Sequence, residues 1–323
     1  MNTIPALFGP YGSAAVEFID QFERYGANAL WFHGFDPTAF EACQKHQLSA
    51  CVELKTFRAD FASHPELIPI GADGHPIRYG ELVQGVCLSQ TAFLEEIEAD
   101  LIDALRQYAP AGIWLDYLTY AGWFEVPEPD LQESCFCPAC IADFCESTGL
   151  DATSPDEILG TAAAQWEQHK CQRIAGFARR YADLIHAHLP ECIVGAYMCP
   201  WQPHEFDRAS TRIFAQDYTL LAPAIDVFTP LIYCAKSGRG PAWGREFLEA
   251  SPAFIPHDRP VQLILDALDF PASLHETAAS THPSWGLQIF SGAQVFRDPQ
   301  PALEFAAAVE QIREAQTGSS RPS

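Results

Sequence analysis

The stretch Gly112-Ile-Trp-Leu-Asp116-Tyr-Leu118 has the pattern that decides the fold. A short apolar run without polar alternation is typical of a strand that is buried on both faces, as in a parallel sheet. An acid follows the last apolar residue of this run, so a carboxylate stands where the predicted strand leaves the core. Similar runs recur on both sides of it, and the segments between them show the spacing of amphipathic helices.

Eight predicted strands alternate with helices from one end of the chain to the other. They are Pro5–Tyr11, Asn28–His33, Ser49–Phe57, Gly112–Leu118, Cys192–Met198, Asp226–Tyr233, Val261–Asp266 and Gly286–Phe290. Eight strand–helix units in 323 residues match an α/β fold of the (β/α)8 TIM-barrel type in number, order and size. A doubly wound sheet is the alternative, but no glycine-rich phosphate loop follows a predicted strand. We predict a single barrel domain over residues 1–316 and a disordered polar tail over residues 317–323.

The composition is that of a globular protein with an acidic surface. The 19 Lys and Arg residues and 42 Asp and Glu residues give a net charge of −23. Such a surface repels phosphate backbones and anionic lipid, which argues against nucleic acid and membrane partners and favours a neutral or cationic substrate. No apolar stretch is long enough to span a membrane, and the first residues lack the basic region of a secretory signal. The 11 cysteines are odd in number and mostly scattered, so we expect a reducing compartment, the cytoplasm.

Two connections are much longer than the usual loop between a strand and a helix. Arg58–Gln90 follows the third predicted strand, and Thr119–Gly160 follows the fourth. Both leave the carboxyl ends of strands, the face on which TIM barrels carry their active sites. We therefore expect these two loops to shape a substrate cleft.

The second long loop contains a C-x-C-x-x-C cluster of Cys135, Cys137 and Cys140. Thiolates this close together cannot all form unstrained disulfides, but they can supply three ligands of a tetrahedral zinc ion. Cys87, near the end of the other long loop, is the best candidate for the fourth ligand. Weaker candidates are Cys145 and His75. Four thiolates would make a closed, structural site that ties the two loops together; the alternative is a set of reduced cysteines, or one disulfide and a spare thiol.

The cysteines and their surroundings resemble those of a known family. Gly85-Val-Cys-Leu-Ser-Gln90, the strand that ends in Asp116, and the cluster followed by Ile141-Ala-Asp-Phe144 are similar to the corresponding part of family 42 β-galactosidases, which are glycoside hydrolases. The similarity covers about Gly71–Gly149. It implies a structural zinc, bound beside the barrel by four cysteines. In this chain these are Cys87, Cys135, Cys137 and Cys140.

The resemblance extends more loosely to glycoside-hydrolase-like barrels of unassigned activity, through Leu115-Asp-Tyr117, Cys135-Phe-Cys137 and Pro230-Leu-Ile-Tyr233. There is also a departure from family 42. Those enzymes carry glutamates at the ends of the fourth and seventh strands, whereas this chain has Asp116 and Asp266 there. The resemblance therefore implies a glycoside hydrolase fold and not β-galactosidase activity itself.

Glycoside hydrolysis uses two carboxyl groups, one that protonates the leaving oxygen and one that attacks or activates water. Asp116 and Asp266 end predicted strands, so both should point toward the mouth of the barrel. We interpret Asp116 as the general acid/base. Asp266 is one candidate for its partner, and Glu125, on the loop just beyond Asp116, is the other. The alternative for either aspartate is that it caps a helix or forms a structural ion pair.

Polar and aromatic residues at the same strand ends are candidates for substrate binding, because rings stack on sugar faces and polar groups bind hydroxyls. The predicted substrate-binding residues are His33, Lys55, Tyr117, Tyr197, Trp201 and Tyr233. By the period of two, Lys55 shares a strand face with Glu53, so it could bind substrate, lower the pKa of Asp116 or pair with Glu53. Trp31 is expected in the barrel core.

These observations together predict a glycoside hydrolase that acts on a small carbohydrate without an organic cofactor. One alternative is a non-catalytic barrel that binds sugar or a partner protein through the same cleft. Another is a Schiff-base lyase that uses Lys55. The motifs Gly-x-Ser-x-Gly, His-Glu-x-x-His and the P-loop are absent from the sequence. The sequence leaves the oligomeric state open, and a homo-oligomer is compatible with it.

Overall fold

Eight parallel strands form the centre of the computed structural model, which describes residues 4–77 and 85–319. The strands are β1 (Phe8–Pro10), β2 (Ala29–His33), β3 (Ser49–Lys55), β4 (Gly112–Asp116), β5 (Ile193–Met198), β6 (Val227–Ile232), β7 (Leu263–Asp266) and β8 (Leu287–Phe290). Strands β2 to β8 pair in chain order, and β8 pairs with β1. Between β1 and β2, the Gly12 N–H donates to the Trp31 carbonyl at 2.8 Å. The sheet therefore closes into the predicted (β/α)8 barrel, and all eight predicted strands are confirmed.

Helices surround the strands. In the described residues the α-helices are α1 (Pro37–His46), α2 (Thr91–Leu105), α3 (Pro138–Thr148), α4 (Pro155–Thr161), α5 (Ala163–His188), α6 (Ala209–Arg212), α7 (Tyr218–Leu221), α8 (Trp243–Ala250), α9 (Ala272–Ala278), α10 (Ala293–Arg297) and α11 (Pro299–Ser319). Short 3-10 helices are Ser13–Gln21, Glu23–Tyr25, Pro65–Leu67, Ser251–Ala253 and Ala267–Asp269. Helix α11 includes the first residues of the predicted tail, and residues 320–323 lie outside the described part. None of the described helices is long and apolar enough to cross a membrane.

The interior of the barrel is filled by large side chains and is not a channel. The rings of Trp31 and Trp114 pack edge to face inside it, with centroids 5.4 Å apart, so Trp31 lies in the core as expected. The Trp114 indole N–H donates to the Thr229 hydroxyl at 2.8 Å, and Gly195 leaves the space that this indole occupies. Because these side chains fill the interior, a ligand cannot enter the middle of the barrel.

The two long loops pack against each other on the carboxyl side of the strands. Backbone pairing joins Gly71 to Ser134, and the Phe136 N–H donates to the Ile70 carbonyl at 2.8 Å. A small hydrophobic cluster supports the second loop, in which the Phe136 ring stacks on Trp166 of α5 with centroids 5.0 Å apart. The loop after β4 is thus an ordered structure that continues into α3, α4 and α5. Residues 78–84 of the loop after β3 lie outside the described residues.

Candidate active site

A cavity of about 280 Å³ opens at the carboxyl ends of the strands. Most of the residues predicted to act on substrate border it; they are Lys55, Asp116, Tyr117, Glu125, Tyr197 and Tyr233. Further residues also border it, among them Glu53 and three aromatic residues at strand ends or on the loop after β4, Tyr11, Trp123 and Phe290. The volume lies just below the usual range for ligand sites, about 300–1,000 Å³. The cavity therefore fits a small ligand.

Asp116 occupies the position that the sequence predicted for it, at the end of β4. The Thr56 N–H and hydroxyl both donate to its carbonyl, at 2.9 and 2.7 Å, which fixes the strand end. The chain then turns sharply, since Tyr117 has a φ of 55°, and the Tyr117 N–H donates to Asp116 Oδ1 at 2.9 Å. Burial, and next the charge of Glu53 and a hydrogen bond to it, raise the pKa of Asp116 well above its usual range. This environment therefore favours the protonated form of Asp116.

Glu53 on β3 is the acidic neighbour that hydrogen-bonds Asp116, and only 3% of its surface is exposed. The Tyr11 hydroxyl donates to Glu53 Oε2, and His33 Nδ1 lies 3.5 Å from the same oxygen. Lys55 Nζ lies 4.0 Å from Oε1, so the pairing that the strand period allowed does occur. Burial disfavours the charge, but the hydrogen bonds and the ammonium together hold the pKa of Glu53 below its ordinary value.

Glu125 lies on the loop after β4 and borders the same cavity. Two glycine contacts hold this loop. A Cβ at Gly122 would lie 2.3 Å from the Phe214 ring, and one at Gly238, on the loop after β6, would lie 3.0 Å from Pro127. Burial raises the pKa of Glu125 to about 7, the charge of Lys236 acts against this rise, and the charge of Asp266 adds to it. Glu125 can therefore exchange a proton near neutral pH.

Asp266 ends β7 as predicted, but it is not among the residues that line the cavity. Its Oδ1 accepts the Leu268 N–H at 3.0 Å and caps the short helix Ala267–Asp269. Its Oδ2 pairs with Lys236 Nζ at 2.9 Å. The same ammonium lies over the rings of Tyr233 and Phe290, 4.4 and 4.3 Å from their centroids. Both structural alternatives that the sequence left open for this aspartate, a helix cap and an ion pair, are therefore present.

Two of the predicted substrate-binding residues lie outside the cavity lining. Trp201 is 2% exposed and is covered by Phe206, whose ring centroid lies 4.1 Å from its own. His33 is exposed at the rim and reaches the site through Glu53 and through Lys55 Nζ, which lies 3.5 Å from its Nε2. Both residues were identified by their positions near strand ends. Such a position does not show whether the side chain faces the cavity or is covered by another residue.

Sequence reasoning missed Glu53 as a member of the acid cluster, and it missed Lys236 entirely. Glu53 had a usable signal, because a strand residue two positions before Lys55 must share its face. To assign Glu53 to the acid cluster, one also had to know that this face of β3 points into the barrel and that Asp116 lies on the neighbouring strand β4. Lys236 lies in a loop without a periodic pattern, so only the structure places it.

The four cysteines form a compact group where the two long loops meet. Their sulfur atoms all lie within 4.8 Å of one another, with Cys87 Sγ 3.6 Å from Cys137 Sγ and 3.7 Å from Cys140 Sγ. A tetrahedral ion with ligands at about 2.3 Å places its sulfurs about 3.8 Å apart, so the donor set fits such an ion. The Ile70 N–H donates to Cys135 Sγ at 3.2 Å, an interaction that stabilises a thiolate. The cluster can bind a metal ion, and it joins the two long loops as predicted.

The fold is shared with glycoside hydrolases of known structure. The glycoside hydrolase domain of PgaB from Bordetella bronchiseptica superimposes with a TM-score of 0.73 at 12% identity, covering 95% of this chain and 99% of that domain. A β-galactosidase from the Antarctic haloarchaeon Halorubrum lacusprofundi gives 0.65 at 13% identity, with 97% of this chain and 58% of the galactosidase covered. The endo-1,4-β-mannanase of Rhizomucor miehei gives 0.56 at 8% identity, with 97% of each chain covered.

At such identities these likenesses show the (β/α)8 barrel fold alone. The chain spans little more than half the length of the β-galactosidases, 58% in one case and 57% in another from Rahnella. No protein-family model matches the sequence. No curated protein matches it either.

Proposed function

We propose that the protein is a glycoside hydrolase that cleaves a glycosidic bond with a pair of carboxyl groups at the carboxyl-terminal face of the barrel. The observation that carries this proposal is the position of Asp116 at a strand end, where it borders a small cavity with aromatic walls and where burial and Glu53 favour its protonated form. A carboxyl group with a raised pKa is what protonation of a leaving glycosidic oxygen requires. The shared fold supports the same class of reaction.

In the proposed reaction Asp116 donates its proton to the glycosidic oxygen as the bond to the anomeric carbon breaks, and Glu125 supplies the second carboxyl group. Glu53 is too close to Asp116 for that role, because the two catalytic carboxyl groups lie about 5 Å apart or more with the sugar between them. Glu125 also borders the cavity, and it lies near enough to Lys236 and Asp266 for their charges to act on it. Its ionised form attacks the anomeric carbon or activates a water molecule.

Asp266 is the weaker candidate for the second carboxyl group, because the Leu268 N–H and Lys236 already occupy its two oxygens. We assign it a positioning role, in which it holds Lys236 close enough for the ammonium to favour the ionised form of Glu125. Lys55 and Tyr117 are placed to bind sugar hydroxyls, and Tyr233 to stack on a sugar face. Tyr197 lies deeper, with its hydroxyl 2.8 Å from the side-chain amide of Gln288, so it forms the floor.

The metal that we propose for the cysteine cluster is zinc, because four thiolates in a closed tetrahedral set are a structural zinc site. Cys87, Cys135, Cys137 and Cys140 would hold it, and it would contribute stability and no open coordination position. The similarity of these cysteines and their neighbours to family 42 enzymes supports the same ion. We extend that similarity to the loop arrangement and not to the galactosidase reaction.

The remaining expectations stay predictions. A carbohydrate substrate follows from the proposed reaction, and the acidic surface still argues against nucleic acid and membrane partners. The thiols of the described cysteines are all free, in keeping with the cytoplasmic location that the sequence predicts. The exclusion of an organic cofactor, the single domain over residues 1–316 and a homo-oligomer rest on the sequence alone.

The proposal is tested by incubating the protein with a panel of 4-nitrophenyl glycosides and short oligosaccharides and measuring the released product. We expect hydrolysis of at least one compound, a loss of about a hundredfold or more in Glu125→Gln, and a loss below about tenfold in Asp266→Asn. Asp130→Asn changes an exposed acid on the same loop as Glu125 and should leave the rate unchanged.

Two outcomes would contradict the proposal. A larger loss in Asp266→Asn than in Glu125→Gln would assign the second carboxyl group to Asp266. Sugar binding in calorimetry without hydrolysis of any compound would make the protein a carbohydrate-binding barrel, the alternative that the sequence left open.

A further inference from the structure

The interactions of Glu53 give it a role that the proposed reaction does not yet include. It is a buried carboxyl group at the edge of the cavity, and four strands bring a polar side chain to it. Tyr11 comes from the end of β1, His33 from β2, Lys55 from β3 and Asp116 from β4. A buried carboxyl group with this many partners is held in one orientation.

Three of these partners can only present a proton to Glu53. The Tyr11 hydroxyl donates to Oε2. Lys55 Nζ lies 3.5 Å from His33 Nε2, and since an ammonium has no acceptor, Nε2 accepts and the ring proton lies on Nδ1. Nδ1 faces Glu53 Oε2 at 3.5 Å, and Lys55 itself lies 4.0 Å from Oε1. Glu53 is therefore surrounded by donors and has the environment of an ionised carboxylate.

Asp116 has a different environment. One backbone N–H, that of Tyr117, donates to its Oδ1 at 2.9 Å, and no ion pair to it occurs among the described residues. Two carboxyl groups that hydrogen-bond each other need one proton between them. With donors gathered at Glu53 and only one backbone donor at Asp116, that proton belongs on Asp116.

We propose that Glu53 is a positioning residue that keeps the shared proton on Asp116, while Tyr11, His33 and Lys55 fix the negative charge on Glu53. This inference rests on the proposed role of Asp116 as the general acid. It explains why an acid cluster and a set of proton donors occur together at the ends of four neighbouring strands. It also provides a return step: once Asp116 has given up its proton, two adjacent carboxylates repel each other, so Asp116 regains a proton from solvent.

Other titratable groups also face this pair. From the loop after β4 these are Tyr117 and Glu125, and from β5 and the end of β6 they are Tyr197 and Tyr233. Burial raises the pKa of each of these tyrosines, so they stay neutral over the working pH range. Glu125 is the one further carboxyl group of this set whose charge adds to that of Glu53 on Asp116.

A titration that needs no substrate tests the inference. The protein is labelled with ¹³C at the aspartate carboxyl carbons, and the Asp116 signal is identified by its loss in Asp116→Asn. An ordinary aspartate titrates near pH 3.9. In the wild-type protein we expect the midpoint of the Asp116 signal to lie well above that value. In Glu53→Gln, which removes the charge at nearly constant size, the midpoint should fall by about one pH unit or more, and Glu53→Asp should restore part of it.

A second variant covers the case in which Glu53→Gln fails to fold. Tyr11→Phe removes one donor from Glu53 but keeps the ring that stacks on Phe290 at 5.6 Å. It should move the Asp116 signal at neutral pH toward its ionised position, because Glu53 then competes for the proton. Tyr108→Phe is the matched control, since Tyr108 stacks on Phe40 away from the cavity, and it should change nothing.

The outcomes separate this inference from the proposed function. An Asp116 midpoint that stays unchanged in both Glu53→Gln and Tyr11→Phe would overturn the positioning role, even if Asp116→Asn abolishes hydrolysis. Shifted midpoints in a protein that hydrolyses no glycoside would support the positioning role and contradict the glycosidase assignment. Where a hydrolysed glycoside is available, the alkaline limb of kcat/KM should move to lower pH in Glu53→Gln by the same amount as the NMR midpoint.

Discussion

Glu125 has the carboxyl group whose ionisation should set the acidic side of the pH profile. Burial raises its pKa to about 7, and the nearby charge of Lys236 opposes the rise. Since the ionised form acts in the proposed reaction, kcat/KM should increase as the pH rises through about 7. Lys236→Met removes the opposing charge, so the pKa of Glu125 should rise further and the acid limb should move to higher pH.

The measurement is kcat/KM against pH on a hydrolysed glycoside. Lys45→Met, which changes an exposed lysine at the end of α1, is the control and should leave the limb in place. An acid limb near pH 4–5, as for an ordinary glutamate, that stays there in Lys236→Met would contradict the role of Glu125.

The sequence was most informative about single residues where the backbone alone decides the direction of a side chain. Asp116 follows a strand that is buried on both faces, so its carboxyl group had to reach the mouth of the barrel. Asp266 has the same sequence context, but the chain after it folds into a short helix that needs a cap, and Lys236 arrives from another loop. Whether Asp266 faces the cavity or binds these other groups depends on tertiary contacts. The sequence of one strand does not contain that information.

At the scale of elements, the loop after β4 positions Glu125 through close backbone contacts. Gly122 lies against the Phe214 ring with no room for a Cβ atom. Gly122→Ala should therefore displace the loop and slow hydrolysis by about tenfold or more, since a shift of about 1 Å at a catalytic group has effects of up to a hundredfold. Initial rates at saturating substrate provide the measurement.

Gly160→Ala is the matched control, because Gly160 lies in α4 with open space around its Cα atom. It should keep full activity and gain about 0.5–1 kcal/mol in the free energy of unfolding, as alanine is the better helix former. Equal rates in the two variants would show that the loop does not depend on the Gly122 contact.

The cysteine cluster makes a second prediction at this scale. Protein kept reduced should contain close to one zinc ion per chain, and Cys87→Ser should lose that ion and about 4 kcal/mol of unfolding free energy, as expected for loss of a structural metal. Metal analysis and denaturant unfolding measure the two effects. Cys145→Ser is the control, because Cys145 lies on α3 outside the cluster and contacts the Ala152 carbonyl. A zinc content near zero in the wild-type protein would remove the metal from this account.

The C-x-C-x-x-C spacing and the long loop before Cys87 were sufficient to predict the four cysteines that come together. What the sequence could not give is how the loops meet. The pairing of Gly71 with Ser134 and the packing of Phe136 on Trp166 join segments that lie far apart in the chain. Neither follows a periodic pattern, so both had to come from the structure.

For the whole molecule, the net charge of −23 should make stability depend on salt. Charges of one sign repel each other in the compact state, and salt weakens that repulsion as the Debye length falls from about 30 Å at 0.01 M to about 8 Å at 0.15 M. The melting temperature at pH 7.5 should therefore rise over this range of NaCl, while an equal osmolarity of sucrose serves as the uncharged control. A melting temperature that falls with NaCl would mean that favourable ion pairs outweigh the repulsion.

The barrel itself was predictable because eight apolar runs of similar length recur at spacings that leave room for one helix each. This repetition makes the whole fold more certain than any one of its elements, and the structure confirms all eight strands in order. The cavity was less predictable. Its walls come from the ends of most of the strands, so a wrong orientation of a single ring, as for Trp201, changes which side chains a ligand can reach.

The central claim, that Asp116 is the proton donor for glycosidic cleavage, is tested most directly by Asp116→Asn. The side chain keeps its size and loses its proton, so the far-UV circular dichroism spectrum and melting temperature should stay close to those of the wild-type protein. Turnover of the best substrate in the glycoside panel should fall by about a thousandfold or more. A folded Asp116→Asn protein that hydrolyses that substrate at the wild-type rate would contradict the account.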